Sequence, residues 1–171
     1  MATRKTVEIK IPLIGETVSI EGTPEQVDGR TMKLDLTRIL RGKSMEGIFV
    51  ISSKNLEAHP KKLNLLNFHI RRLIRKGTNY IEDSFDAKCK DVTLRIKPFL
   101  ITRKKVSRSI RKAIRDRAKE IILDFCKERE SAEVFSEVVA SKIQKDLSVA
   151  LKKIYPLAVC EIRVLERKKQ N

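Results

Sequence analysis

The chain has no tryptophan, and aromatic residues make up only 5% of its 171 positions. Proteins that read single strands by stacking base upon base need aromatic platforms, so this composition disfavours that mode. Cysteine is also scarce. Cys89, Cys126 and Cys160 are far apart, odd in number and without metal-ligand spacing, which points to reduced structural thiols. No apolar run approaches the length of a membrane span. The opening "MATRKTVEIKIPLIGET" alternates like a strand and lacks the apolar block of a signal peptide. A soluble, intracellular protein without a membrane partner is therefore expected.

Acidic residues are outnumbered. Asp plus Glu total 22 against 38 Lys plus Arg, giving a net charge of +16 and a pI near 10.0. That excess opposes compaction through self-repulsion and is accounted for by a polyanionic partner, nucleic acid above all. Apolar residues reach 41%, enough for a buried core rather than disorder. Neither an internal repeat nor a low-complexity segment is visible, and no domain boundary stands out.

Hydrophobic periodicity gives a coarse order. Val7, Ile9, Ile11 and Leu13 alternate as a strand. "IGETVSIEGTPEQVDGRT" has turn chemistry, with Gly15, Gly22, Pro24 and Gly29. "TMKLDL" and "IFVIS" read as two further strands. In "KKLNLLNFHIRRLIRKGT" the period changes: Leu63, Leu66, Ile70, Leu73 and Ile74 form a helical stripe, with Gly77 as its stop. "SFDAKCK" and "DVTLRIKPFLI" suit an antiparallel hairpin, and Pro98 suggests an edge position or a bulge. From Val106 onward Ile110, Ile114, Ala118, Ile121 and Phe125 share a helix face. A second stripe runs Val134, Val138, Ile143, Leu147, Leu151, Ile154, ending at Pro156. Ala158, Cys160, Ile162 and Val164 alternate in a last strand. The expectation is one α+β domain over residues 1–171, order β-β-β-α-β-β-α-α-β, with about three helices and a mainly antiparallel, partly barrel-like sheet.

One stretch concentrates the charge. Between Arg103 and Lys119 stand nine Lys or Arg and a single acid, Asp116. Arg103, Lys104 and Lys105 lie in the approach to a helix. Lys104, Arg108, Arg111 or Lys112, Arg115 and Lys119 then recur every three or four residues. Like charges at that spacing repel, whereas an ordinary solvated face mixes signs, as Glu120, Asp124, Lys127, Glu128 and Arg129 do just beyond. The row is accounted for by phosphates along an RNA backbone, and the change of sign after Lys119 by the helix turning away from them. Arg71, Arg72, Arg75 and Lys76 form a second cluster, although cations at a helix C-terminus also complement the dipole. Arg167, Lys168 and Lys169 near the end, like Arg4 and Lys5 at the start, are weaker candidates.

Signatures of catalysis are missing. "RGKS" at Arg41–Ser44 resembles the end of a phosphate-binding loop, but Thr37 stands where a glycine is needed and a strand follows instead of a helix. His59 and His69 have no metal-ligand pattern around them. Glu82, Asp83 and Asp86 do not make a paired-carboxylate site by sequence alone. Neither a cofactor nor a metal is expected, and the signatures of zinc fingers and of RNA-recognition sheets are absent.

Four segments, in order, resemble a known family. They are "IGET" at Ile14–Thr17, "LIRKGTNYIED" at Leu73–Asp83 with "FDAKCKDVTLRI" after it, "ITR" at Ile101–Arg103, and "KKIYPLAVCEIRVLERKK" from Lys152. Together they resemble the archaeal and eukaryotic small-subunit ribosomal proteins called eukaryotic-type protein S-one, or S-three-a-e, and archaeal members most. The family's longer basic N-terminal arm and its Trp-Tyr pair have no counterpart here, so their contacts do not transfer. The resemblance implies a non-enzymatic, cytoplasmic, ribosome-associated constituent of the small subunit. It implies a place on the platform near the messenger exit and the 3′ end of the small-subunit RNA. Its implied partners are ribosomal RNA, neighbouring platform proteins and messenger RNA near the exit. The family's basic segment falls on Arg103–Lys119. The rival readings are a free-standing RNA-binding module and an RNA-modifying enzyme outside the ribosome.

Overall fold

The computed structural model describes residues 6–40, 42–53 and 55–168. They pack as two compact units, with the boundary between Leu63 and Asn64. In the first unit, β1 (Thr6–Ile11) buries Val7, Ile9 and Ile11 on alternate positions, the period-two pattern its sequence carries. It pairs antiparallel with β2 (Glu16–Glu21), Thr6 opposite Glu21 and Ile11 opposite Glu16. β2 corrects the expectation of a continuous turn there. Only Val18 and Ile20 among its six residues are apolar, so its order comes from backbone pairing rather than from burial. The one-turn helix α1 (Pro24–Val27) follows Thr23 and buries Val27.

β3 (Thr31–Asp35) and β4 (Met45–Ser52) pair antiparallel, Thr31 opposite Val50. Gly47 is required inside β4, because a Cβ there would stand 2.6 Å from the ring of the fully buried Phe49. β5 (Glu57–Leu65) pairs with β4 and lies parallel to β1 at Lys10 opposite Glu57. The strand order in this unit is β2-β1-β5-β4-β3, an open arrangement. β5 overturns half of the helical stripe expected over Leu63–Ile74. Leu63 and Leu65 are buried with strand alternation, and the helix begins only at Asn67.

In the second unit, that helix is α2 (Asn67–Leu73), and Ile74 leaves it in an extended conformation. Gly77, at φ 83°, therefore shapes the turn beyond instead of capping the helix. Then come β6 (Tyr80–Glu82), β7 (Phe85–Lys88) and β8 (Thr93–Thr102). β7 and β8 form the expected hairpin, Lys88 opposite Thr93. β6 pairs with the far end of β8, Tyr80 opposite Ile101. On its other side β8 pairs antiparallel with β9 (Leu157–Arg167), and the register shifts at Pro98 and again at Ile101. Pro98 thus sits at a bulge, where its missing N–H is tolerated.

Three more helices pack here: α3 (Arg108–Lys127), α4 (Ser131–Val139) and α5 (Lys142–Leu151). The stripe expected as one helix over Val134–Ile154 is α4 and α5, parted by Ser141 in a left-handed conformation at φ 59°. Ile154 lies past the helix and is exposed. With α1 and this break the described residues form five helices rather than three, and their strand pairing is mostly antiparallel, as expected. Ile81, Leu100, Ile114, Ala118, Leu151 and Leu157 form a buried cluster that fixes α3 on the sheet. None of the described helices is long and apolar enough to cross a membrane.

Candidate nucleic-acid interface

The approach to α3 is held by two uncharged side chains. Thr102 is fully buried at the end of β8. Its Oγ1 accepts from the Asn79 backbone N–H at 2.9 Å and donates to the Lys104 carbonyl at 2.7 Å. The Asn79 side-chain oxygen accepts from the Val106 N–H at 2.7 Å. These bonds turn residues 103–106 away from the strand, so that Arg103, Lys104 and Lys105 point outward and are exposed. Neither Asn79 nor Thr102 was a sequence candidate. The only signal for them was polarity next to apolar strand ends.

Ser107 starts α3, its Oγ accepting from the Ile110 N–H at 3.5 Å. The first turn contains no acid. Arg108 and Arg111 stand there instead, with Lys112 just after them, against the positive end of the helix dipole, where acids are the stabilising choice. Their positions, with Arg115 and Lys119, fall at i, i+3, i+4, i+7 and i+11, one face of the helix. Ile114, Ala118, Ile122 and Cys126 are buried along the flank next to it, with the half-buried Arg111 at the border. The buried stripe advances in steps of four, not through Ile121 and Phe125 as expected. A step of four overshoots one 3.6-residue turn, so the stripe drifts around the helix. Towards the C-terminus it reaches the azimuth of the cations, which is why the row stops.

None of Arg103, Lys104, Lys105, Arg108, Arg111, Lys112, Arg115 or Lys119 forms an ion pair among the described residues. Two ion pairs within α3 lie off the row: Arg117 with Glu120 and Lys127 with Asp124, both at 2.8 Å. Lys119, at the end of the row, has its ammonium 5.8 Å from the centre of the Phe85 ring. Arg108, Arg111, Lys112 and Arg115 line a recess of about 360 Å³ with Tyr80.

The second cluster joins the first. Arg71 and Arg72 close α2, where they complement its dipole, and Arg72 stacks over the Phe68 ring at 5.0 Å. Arg72 and Arg75 also line a recess of about 310 Å³ together with Arg103. Lys76 is exposed in the turn that follows. The C-terminal candidates stand elsewhere. Lys168 forms an ion pair with Asp86 at 2.5 Å, and Arg167 lies 5.6 Å over Phe135. Arg167 pairs with Leu94 at the start of β8, whereas Thr102 is its last residue. At about 3.3 Å per residue that separates them from the α3 approach by roughly 26 Å. The structure therefore does not bring Arg167 and Lys168 together with the row, and Lys169 lies outside the described residues.

Groups with displaced pKa values sit away from both recesses and have local causes. Lys168, then Arg95, hold the Asp86 carboxyl below its ordinary value. The Thr37 hydroxyl and backbone do the same for Asp35. Burial pushes the Cys126 thiol up to about 12, next to Cys89, which burial also raises. Among the described residues no group of His, Cys, Asp or Glu is arranged to hold a metal ion. What this surface can do chemically is gather negative charge.

The sequence model of the Ribosomal S3Ae family matches residues 8–170. The chain is 29% identical over 166 residues to the small ribosomal subunit protein eS1 of Nanoarchaeum equitans, covering 91% of this chain and 84% of that protein. It is 25% identical to the protein of the same name from Archaeoglobus fulgidus, over 90% and 76% of the two chains. With the Halorubrum lacusprofundi protein, again named eS1, identity is 29% over 89% and 73%.

Proposed function

This chain belongs to the Ribosomal S3Ae family, and from that membership we propose that it binds small-subunit ribosomal RNA through the cationic face of α3. As a family member it is a structural component of the small ribosomal subunit and not an enzyme. Ribosomal RNA and other ribosomal proteins are the partners that such a component has. The finer reading puts it on the platform, near the messenger exit and the 3′ end of the small-subunit RNA, beside platform proteins and messenger RNA. The family match crosses both compact units, which supports treating residues 1–171 as one ribosomal domain.

A single observation carries the RNA reading. Arg103, Lys104, Lys105, Arg108, Arg111, Lys112, Arg115 and Lys119 form a row of cations, all but the half-buried Arg111 exposed and none with an acidic partner among the described residues, on a helix end whose dipole already favours anions. Arg103, Arg72 and Arg75 extend it. Each phosphate that this surface neutralises releases counterions, so affinity falls steeply with salt.

The test is the triple variant Arg108→Gln, Lys112→Gln, Arg115→Gln. It flattens the slope of log affinity against log salt by about one unit per lost phosphate contact; an unchanged slope contradicts the assignment. Placement has its own test. The protein sediments with small subunits after a moderate salt wash, and a photo-crosslinker at position 112 reaches RNA near the 3′ end. A free-standing RNA-binding module would remain in the unbound fraction.

A further inference from the structure

We propose that the recess between Tyr80 and the α3 row holds one unpaired RNA nucleotide, its base against the Tyr80 ring and its phosphate among Arg108, Arg111 and Arg115. The inference rests on the RNA-binding reading and names what that site takes. Its lining is chemically narrow: one phenol ring and four cations, with no carboxylate among the described residues. Such a lining repels metal ions and gives an apolar ligand little surface. It matches a group that is anionic at one end and a flat π-system at the other, which is the chemistry of a nucleotide.

Three further observations support it. Tyr80 is 40% exposed, and its ring leans on the fully buried Phe99, with centroids 5.3 Å apart and planes tilted by 51°. A ring backed in this way is a fixed platform that does not have to be ordered on binding. Arg111 is half-buried, and its Nε is buried without a hydrogen-bond partner among the described residues. A buried donor without a partner is costly, and a phosphate or base oxygen in the recess would satisfy it. The recess, at about 360 Å³, lies at the small end of the range for ligand pockets, roughly 300–1,000 Å³. That is space for one nucleotide and not for a duplex.

Double-stranded RNA hides its base faces and is gripped through phosphates and 2′-hydroxyls. A ring set beside the cations is useful only where a base has left the stack, at a bulge or in a loop. The scarcity of aromatics argues against reading a strand base by base, and a single Tyr80 is enough to anchor one.

The test uses the full chain and three hairpins: one fully paired, one with a single bulged uridine, and one whose bulge lacks the base. The bulged hairpin binds roughly tenfold more tightly than the other two, the order of magnitude of one base stacked on an aromatic ring. Tyr80→Leu removes that preference, Tyr80→Phe keeps it, and both retain the salt slope. A second readout uses the native ring. The chain has only two tyrosines and no tryptophan, so in a Tyr155→Phe background the emission of Tyr80 is quenched by the bulged hairpin and not by the paired one. Equal, strongly salt-dependent affinity for all three hairpins overturns the nucleotide site and leaves the RNA-binding reading standing. Salt-independent or absent binding to every hairpin overturns both. Free uridine monophosphate binding as tightly as the bulged hairpin overturns the assignment to RNA.

Discussion

Replacing Asn79 by Ala removes the oxygen that accepts from the Val106 N–H, a 2.7 Å bond that fixes where the basic approach leaves β8. The fold is expected to lose about 1 kcal/mol, the usual net worth of such a bond, measured by denaturant titration. RNA affinity falls in addition, because Arg103, Lys104 and Lys105 no longer stand in one geometry. If affinity is unchanged, the clasp does not position them. Asp91 makes a second local contact of this kind. Ser131, fully buried at the start of α4, donates its backbone N–H to Asp91 at 2.8 Å and its hydroxyl to the same carboxylate. Partial desolvation pushes the Asp91 carboxyl up, but the Ser131 hydroxyl and amide outweigh it, leaving its pKa below the ordinary value. A lowered folded pKa contributes stability above the unfolded pKa, and that contribution is lost as pH falls through the folded value, below about pH 4. Asp91→Ala leaves a buried donor pair unsatisfied and costs about 1–3 kcal/mol at neutral pH. The difference from the parent shrinks in acid, which a pH series of unfolding curves checks.

At the scale of the element, α3 is built against its own interest. Arg108→Glu places an acid at the first helical position, where the dipole favours it, and relieves the repulsion with Arg111 and Lys112. The isolated protein is expected to gain up to about 1 kcal/mol while losing RNA affinity, two effects of opposite sign read by thermal melting and by binding. Loss of stability together with affinity would mean that Arg108 has a structural role. The identity of α3 and of the β7–β8 hairpin was legible because their apolar residues keep one period over many positions. β2 was missed because two apolar residues in six do not make a pattern. β5 and α2 were merged because Leu63, Leu66 and Ile70 fit a helix as well as they fit a strand followed by one. The break between α4 and α5 lies at Ser141, a residue type that rarely adopts positive φ, so no local signal marked it. The cationic row itself could be read directly, since charge needs no packing partner to be visible. Its stopping point, its attachment through Asn79 and Thr102, and its junction with Arg72 and Arg75 depend on three-dimensional contacts and could not.

For the whole molecule, charge sets two opposite responses to salt. With a net charge of +16, the isolated chain repels itself, and added salt screens that repulsion over a Debye length of about 10 Å at 0.1 M. Its melting temperature is expected to rise with ionic strength, whereas its affinity for RNA falls over the same range. RNA added at low salt raises the melting temperature by mass action, because only the folded chain presents the aligned row. A melting temperature that drops with salt would show that internal ion pairs, not self-repulsion, dominate. The unpaired cations of α3 also bear on the life of the chain before assembly. If the row binds RNA as proposed, a polypeptide with such an open ladder of positive charge has no means of waiting alone: until its own site is offered, any stray transcript is a competitor. Overproduced without its particle, it is expected to come out of cells coated in nucleic acid. With no tryptophan to absorb at longer wavelength, its ultraviolet spectrum would be that of the passenger more than of the protein.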